Sequence, residues 1–237
     1  MMLKLRAFWF YCGLCITIVI FACLSFLILP LPYPRRYQLM SGWSYFVSWW
    51  LQKTCALTHI VYGQKHIPKG PMIVFSKHQS SWETIVFIQI FPVQTWILKK
   101  ELLWLPLFGW ALATLKPVAI SRRHIRQSLR QIVEKGSHHL NQGRSVIIFP
   151  EGTRVAPGEK KRYGIGAALL AAQSGYPVVP VAHNAGLFWS RNAFIKQPGS
   201  IEVHIGPVID PKDKSAEEIN LLAATWIEET MMRLPKS

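Results

Sequence analysis

Aspartate is almost missing from this chain. The two that occur, Asp210 and Asp213, stand near the C-terminus, and none precedes them. A Ser-His-Asp triad therefore has poor support, and no Gly-x-Ser-x-Gly elbow is present to carry a serine nucleophile. Cysteine is scarce as well: Cys12, Cys15 and Cys23 lie inside an apolar segment and Cys55 stands alone, so no disulfide framework is indicated and a reducing compartment fits the main domain. Cys12-x-x-Cys15 lacks partner ligands and sits in a hydrocarbon setting, which argues against a metal or redox site. Internal repeats and low-complexity tracts are absent. Acidic side chains number 12 against 27 basic ones, a net charge of +15. Such a surplus calls for an anionic partner: nucleic acid, an anionic membrane surface or a phosphorylated substrate.

What is abundant decides among these. Half of the residues are hydrophobic, ten are tryptophan, and the excess gathers at the N-terminus. Residues 7–29 carry no charge and are long enough to cross a bilayer core of about 30 Å as a helix. The run is longer than the core of a signal peptide and has no small-residue cleavage site before Pro30, so a retained anchor is expected. Pro30, Pro32 and Pro34 end it. Residues 40–62 hold Trp43, Tyr45, Phe46, Trp49 and Trp50 and read as an interfacial helix, with a helix packed on the domain core as the alternative. Basic residues dominate after the anchor, which places the main domain in the cytoplasm, on the inner membrane if the cell is bacterial; both flanks are basic, so spanning and lying in the interface both stay open. No zinc-ligand spacing, zipper or RNA-binding signature appears, so nucleic acid is not an expected partner.

From about residue 71 the pattern changes. Short apolar runs at 72–75, 93–98, 118–120, 146–149, 178–182 and 201–205 read as strands. Helical patterns at 82–90, 102–115, 125–141, 164–174 and 216–232 lie between them. Alternation of this kind predicts an α/β fold with a mixed, largely parallel sheet flanked by helices, plus N-terminal membrane helices. The expected division is an anchor and interfacial segment over 1–64 and an α/β domain over 65–237.

Two constellations carry chemistry. His78 follows the strand at 72–75, and Glu83 falls in the first turns of the next helix. Residues five apart do not share a helix face, but with His78 in the preceding turn Glu83 can reach back to its ring. A carboxylate on one ring nitrogen sets the tautomer and leaves the other as a general base. His-x4-Glu also recurs by chance, and a histidine there can simply cap the helix. The second constellation is Phe149-Pro150-Glu151-Gly152-Thr153-Arg154, where an apolar strand runs into a tight turn and Arg154 offers a fork suited to phosphate; an ordinary strand exit with a solvated arginine reads the same. Lys99 and the pair Arg122–Arg123, each at a strand end, are further candidates to meet a phosphate.

Together these blocks make the chain resemble the glycerolipid acyltransferases of the 1-acyl-glycerol-3-phosphate acyltransferase type. That family's His-x4-Asp pair is matched by His78 and Glu83, its strand ending in arginine by Ile120-Ser121-Arg122, and its Phe-Pro-Glu-Gly-Thr-Arg block letter for letter at 149–154. Its apolar Val-x-Pro-Val strand corresponds to 178–181, and its Lys-x-Glu-Leu stretch to Lys99, Glu101 and Leu102, with Pro106 and Gly109 beyond. The resemblance spans about residues 65–210. It departs at Glu83 where Asp is usual, at Lys77 where Asn is usual, and at Ser121 where Asp is usual. The resemblance implies a glycerolipid acyltransferase fold and transfer of a fatty acyl group from acyl-CoA or acyl carrier protein to the sn-2 hydroxyl of lysophosphatidic acid. In that reading His78 is the base, Glu83 its orienter, and Arg122, Arg154 and Lys99 grip the acceptor phosphate, with Glu151, Gly152 and Thr153 shaping the acceptor side. No cofactor or metal is implied, because the thioester is already activated. Membrane lipids and the acyl carrier are the expected partners, with the oligomeric state left open. Alternatives are a different acceptor (another lysophospholipid, glycerol-3-phosphate or an amino-acid lipid) or a non-catalytic lipid-binding protein.

Overall fold

The computed structural model describes residues 1–121 and 124–235. Two helices open the chain, α1 (Met2–Leu27) and α2 (Tyr33–Cys55). Prolines stand only in the link and in the first turn of α2, where a missing N–H costs nothing. The helices form an antiparallel hairpin: the Trp43 indole donates to Thr17 Oγ1 (3.1 Å) and the Trp50 indole to the Trp9 carbonyl (3.2 Å). By length and hydropathy α1 is a candidate membrane span. It also packs on the domain, with Phe10 edge-on to Trp189 and Tyr11 stacked on Phe194. Between them the buried Lys196 donates to the Tyr11 hydroxyl at 2.6 Å. Phe8, Trp9, Ile16, Val19 and Ile20 stay exposed on α1.

The aromatic segment expected to be helical or interfacial as far as residue 62 divides in two. Helix α2 buries Tyr37, Met40, Val47 and Leu51, and Ser44 donates to the Ile85 carbonyl, so it is packed on the domain while Tyr45 and Trp49 face outward. Ala56 then turns with φ +52°, and residues 57–62 form a strand, β1 (Leu57–Tyr62). Among the described residues β1 pairs with one strand, the last in the chain, so its alternation is that of a half-exposed edge and is hidden behind the tryptophans.

The remaining elements follow as β2 (Ile73–Ser76), α3 (Trp82–Ile90), β3 (Gln94–Lys99), a 3₁₀ turn (Lys100–Trp104), α4 (Phe108–Thr114), β4 (Val118–Ile120), α5 (Ile125–Asn141), β5 (Ser145–Ile148), α6 (Gly166–Ser174), β6 (Val178–His183), the single turn α7 (Ala185–Phe188), β7 (Gly199–Ile205) and α8 (Ala216–Arg233). The helix expected over 102–115 is therefore broken. Pro106 cannot continue it, and Leu107 adopts φ +63° before α4 begins.

The seven strands lie in the order β1-β7-β6-β2-β5-β3-β4. Pairings are parallel except β6 with β7, so the sheet is mixed and largely parallel, as expected from the sequence. The central strands are buried on both faces. Val74, Ile147 and Val179 join the core under α2 and α3, whereas Ile73, Phe75, Val146 and Ile148 join the core under α5, α6 and α8. This explains their continuous apolar runs. β2, β3, β4, β5 and β6 all run in one direction, so the loops after them emerge along one edge.

Candidate active site

The site forms where β2 and β5 end side by side. His78 sits two residues beyond β2. Glu83 is the second residue of α3, a favourable place for a carboxylate because unsatisfied amides and the helix dipole converge there. Its Oε1 accepts from the Gln79 and Ser80 amides, both at 2.8 Å, and lies 2.8 Å from His78 Nδ1. Glu83 is fully buried. Burial alone would raise its carboxyl, but the His183 and His78 rings and the Ser80 amide outweigh it and hold the group below its ordinary value. An ionised Glu83 can only accept, so Nδ1 carries the ring proton and Nε2 is left with a lone pair. The His78 ring stacks on Phe149, 4.1 Å between centroids, and keeps some exposure.

The turn after β5 closes over this pair. Gly152, with φ +68°, donates its amide to the Phe149 carbonyl at 3.0 Å. Glu151 turns inward: Oε2 accepts the His78 amide at 2.7 Å, and Oε1 meets the Lys77 ammonium at 2.6 Å. Val155 donates to the His78 carbonyl at 2.8 Å, so both sides of the His78 backbone are tied to this loop. Arg154 is half-buried and donates to Ser81 Oγ at 2.7 Å, at the start of α3. Thr153 is half-buried in the same turn. The structure thus gathers His78, Glu83, Glu151, Gly152, Thr153 and Arg154. Lys99 ends β3, exposed and in register with Ile120 of β4, on the same sheet edge but with β5 between its strand and β2. Arg122 lies outside the described residues.

An acyltransferase family model matches residues 58–184, the stretch that contains the whole of this arrangement. A 1-acyl-sn-glycerol-3-phosphate acyltransferase of Pseudomonas aeruginosa is 38% identical over 97% of this chain and 91% of its own. The chain belongs to the acyltransferase family. A 1-acyl-sn-glycerol-3-phosphate acyltransferase of Borreliella burgdorferi is 29% identical over 79% of this chain and 75% of its own. The fold is that of the solved 1-acyl-sn-glycerophosphate (LPA) acyltransferase PlsC from Thermotoga maritima, with TM-score 0.80, 23% identity, and coverage of 97% of this chain and 94% of that one.

Within this acyltransferase two side chains stand at the site to which the sequence reading gave no role there. His183, at the end of β6, is fully buried; the Ala185 amide donates to its Nδ1 (3.3 Å), so its Nε2–H donates to the Lys77 carbonyl (2.9 Å). Burial pushes its pKa down against the pull of the Glu83 carboxylate, and its two hydrogen bonds make it scaffold for the Lys77–His78 turn. Lys77 is the other. Its side chain is 2% exposed and reaches Glu228 on α8 as well as Glu151. Glu151, expected on the acceptor side, is 0% exposed at its side chain and engaged with Lys77 and the His78 backbone. Its signal in the sequence was only its place in a turn; the burial comes from the fold.

Proposed function

We propose that this acyltransferase moves a fatty acyl group from acyl-CoA or acyl carrier protein to the sn-2 hydroxyl of lysophosphatidic acid, giving phosphatidic acid. The observation that carries the reading is the 2.8 Å contact between His78 Nδ1 and Glu83 Oε1 within one turn of the Arg154 guanidinium. The names of the two bacterial relatives support the acceptor.

His78 Nε2 takes the proton of the acceptor hydroxyl while Glu83 steadies the imidazolium that forms. The oxygen attacks the thioester carbonyl, the tetrahedral oxyanion collapses, and the thiolate leaves, to be protonated from Nε2. General-base help of this kind contributes about 100- to 10,000-fold. No acyl-enzyme is required, and neither ATP nor a metal is called for, since the thioester supplies the driving force. Arg154, with Arg122 and Lys99, grips the acceptor phosphate by charge-assisted hydrogen bonds. The apolar face of α1, with the exposed Tyr45 and Trp49 of α2, holds the enzyme at the membrane, where the acceptor and product dissolve. The excess of basic residues after α1 favours a cytoplasmic catalytic domain.

The test is purified protein in detergent with labelled lysophosphatidic acid and each acyl donor in turn. Labelled phosphatidic acid with acyl in the sn-2 position is expected from at least one donor. Absence of product from both, with acylation of another lysophospholipid, would reassign the acceptor.

A further inference from the structure

Lys77 is held at both ends. Its backbone N–H donates to the Val181 carbonyl (3.0 Å), and its own carbonyl accepts from His183 (2.9 Å). Its ammonium lies 2.6 Å from Glu151 Oε1 and 2.9 Å from Glu228 Oε1, and the Tyr163 hydroxyl donates to that same Glu228 oxygen at 2.7 Å. Glu151 gives its second oxygen to the His78 amide. A chain of polar contacts therefore runs from α8, on one face of the sheet, to the backbone of His78 at the sheet edge.

A buried ammonium is tolerated only when it is compensated, and two carboxylates do that here. The compensation is mutual. Both carboxylates converge on one Nζ, and without it their like charges would disfavour full ionisation. Glu151 is the one to yield, because burial already pushes its carboxyl up and Lys77 only partly reverses this, whereas Lys77 and Tyr163 hold Glu228 down against its own burial. A protonated Glu151 would grip the His78 amide more weakly than a carboxylate does.

We propose that Lys77, anchored by Glu228, is a positioning residue for acyl transfer: its ammonium keeps Glu151 charged, and Glu151 fixes the backbone that carries the His78 ring. Neither side chain touches substrate. This rests on the assignment of His78 as the base.

The experiment compares Lys77→Met with Lys77→Met/Glu228→Gln in the full-length detergent-solubilised enzyme, reading kcat per folded molecule and acceptor KM separately. Lys77→Met is expected to lower kcat at least about 10-fold with KM within about twofold. Adding Glu228→Gln removes the competing charge and should raise kcat again at least about threefold. A lysine that only fills space would give no such recovery. A single variant with wild-type kcat, a loss confined to KM, or a double variant no better than the single overturns the proposal. Should Lys77→Met fail to fold, Glu151→Gln removes the charge that Lys77 sustains while keeping the shape of the side chain; a kcat reduced at least about threefold at constant KM is expected, and an unchanged kcat overturns it. His78→Ala in the same assay separates the two ideas: if it keeps activity, the base assignment fails and the positioning falls with it, whereas a His78→Ala loss beside an unaffected Lys77→Met overturns the positioning alone.

Discussion

The imidazole of His78 lies almost flat on the Phe149 ring, with 17° between the planes, while Glu83 holds its Nδ1 edge. Stacking on one face and a hydrogen bond at Nδ1 leave the ring little freedom, and in the proposed mechanism Nε2 is the nitrogen left to meet the acceptor hydroxyl. Phe149→Ala removes the backing without touching a polar group. A displacement of about 1 Å at a reacting group can cost 100-fold, so kcat is expected to fall about 10- to 100-fold in steady-state assays while Glu83 stays in place.

Removing the proposed base should be more severe. His78→Ala is expected to lose about 100- to 10,000-fold in kcat with an unchanged circular dichroism spectrum. Activity retained within a few-fold of wild type would refute the assignment. Glu83→Gln keeps an acceptor for the two amides but not the charge that supports the imidazolium, and should fall in the same range at unchanged acceptor KM. Glu83→Asp restores the charge on a shorter stem and is expected to be more active than the glutamine variant.

Arg154 tests the phosphate grip. Its guanidinium is half-buried and already oriented by Ser81. Loss of a charge-assisted contact is worth about 1.5–3 kcal/mol, so Arg154→Ala should raise acceptor KM about 10- to 100-fold with kcat within about threefold. A rate curve against lysophosphatidic acid concentration that superimposes on the wild-type curve rules this role out.

His139, on α5, gives a pH test remote from the site. Burial first, and then the neighbouring Arg144 charge, lower its pKa from 6.5 to about 4. Between those values the unfolded chain holds more protons than the folded one, so stability rises with pH across the window. It is complete above about 6.5 and is lost as the pH falls towards 4. Melting temperatures from pH 7 to pH 4 should fall less steeply for His139→Gln than for wild type. His183 and His59, also lowered by burial, will leave part of the slope in place.

Strands buried on both faces were the easiest elements to read. Residues 118–120 form a strand as expected, and the runs at 72–75, 146–149 and 178–182 lie within a residue or so of β2, β5 and β6. Helices α3 and α5 also fall where their patterns place them. β1 escaped because an edge strand shows weak alternation, here directly after an aromatic helix. The break at Pro106 escaped because the apolar spacing continues across it.

The same division runs through the site. His78 and Glu83 are five residues apart, and a strand end followed by a helix start is enough to bring an imidazole and a carboxylate together, because short-range backbone geometry decides it. The tight turn at 149–152 is equally local. Glu151 and His78 are 73 residues apart, and Lys77 and Glu228 are 151 apart. Nothing in the spacing of such residues says which will meet. Their partnership was set by the order of strands in the sheet and by the packing of α8 against it, since an uncompensated charge is excluded from a closed interior and whichever opposite charge the fold delivers must answer it.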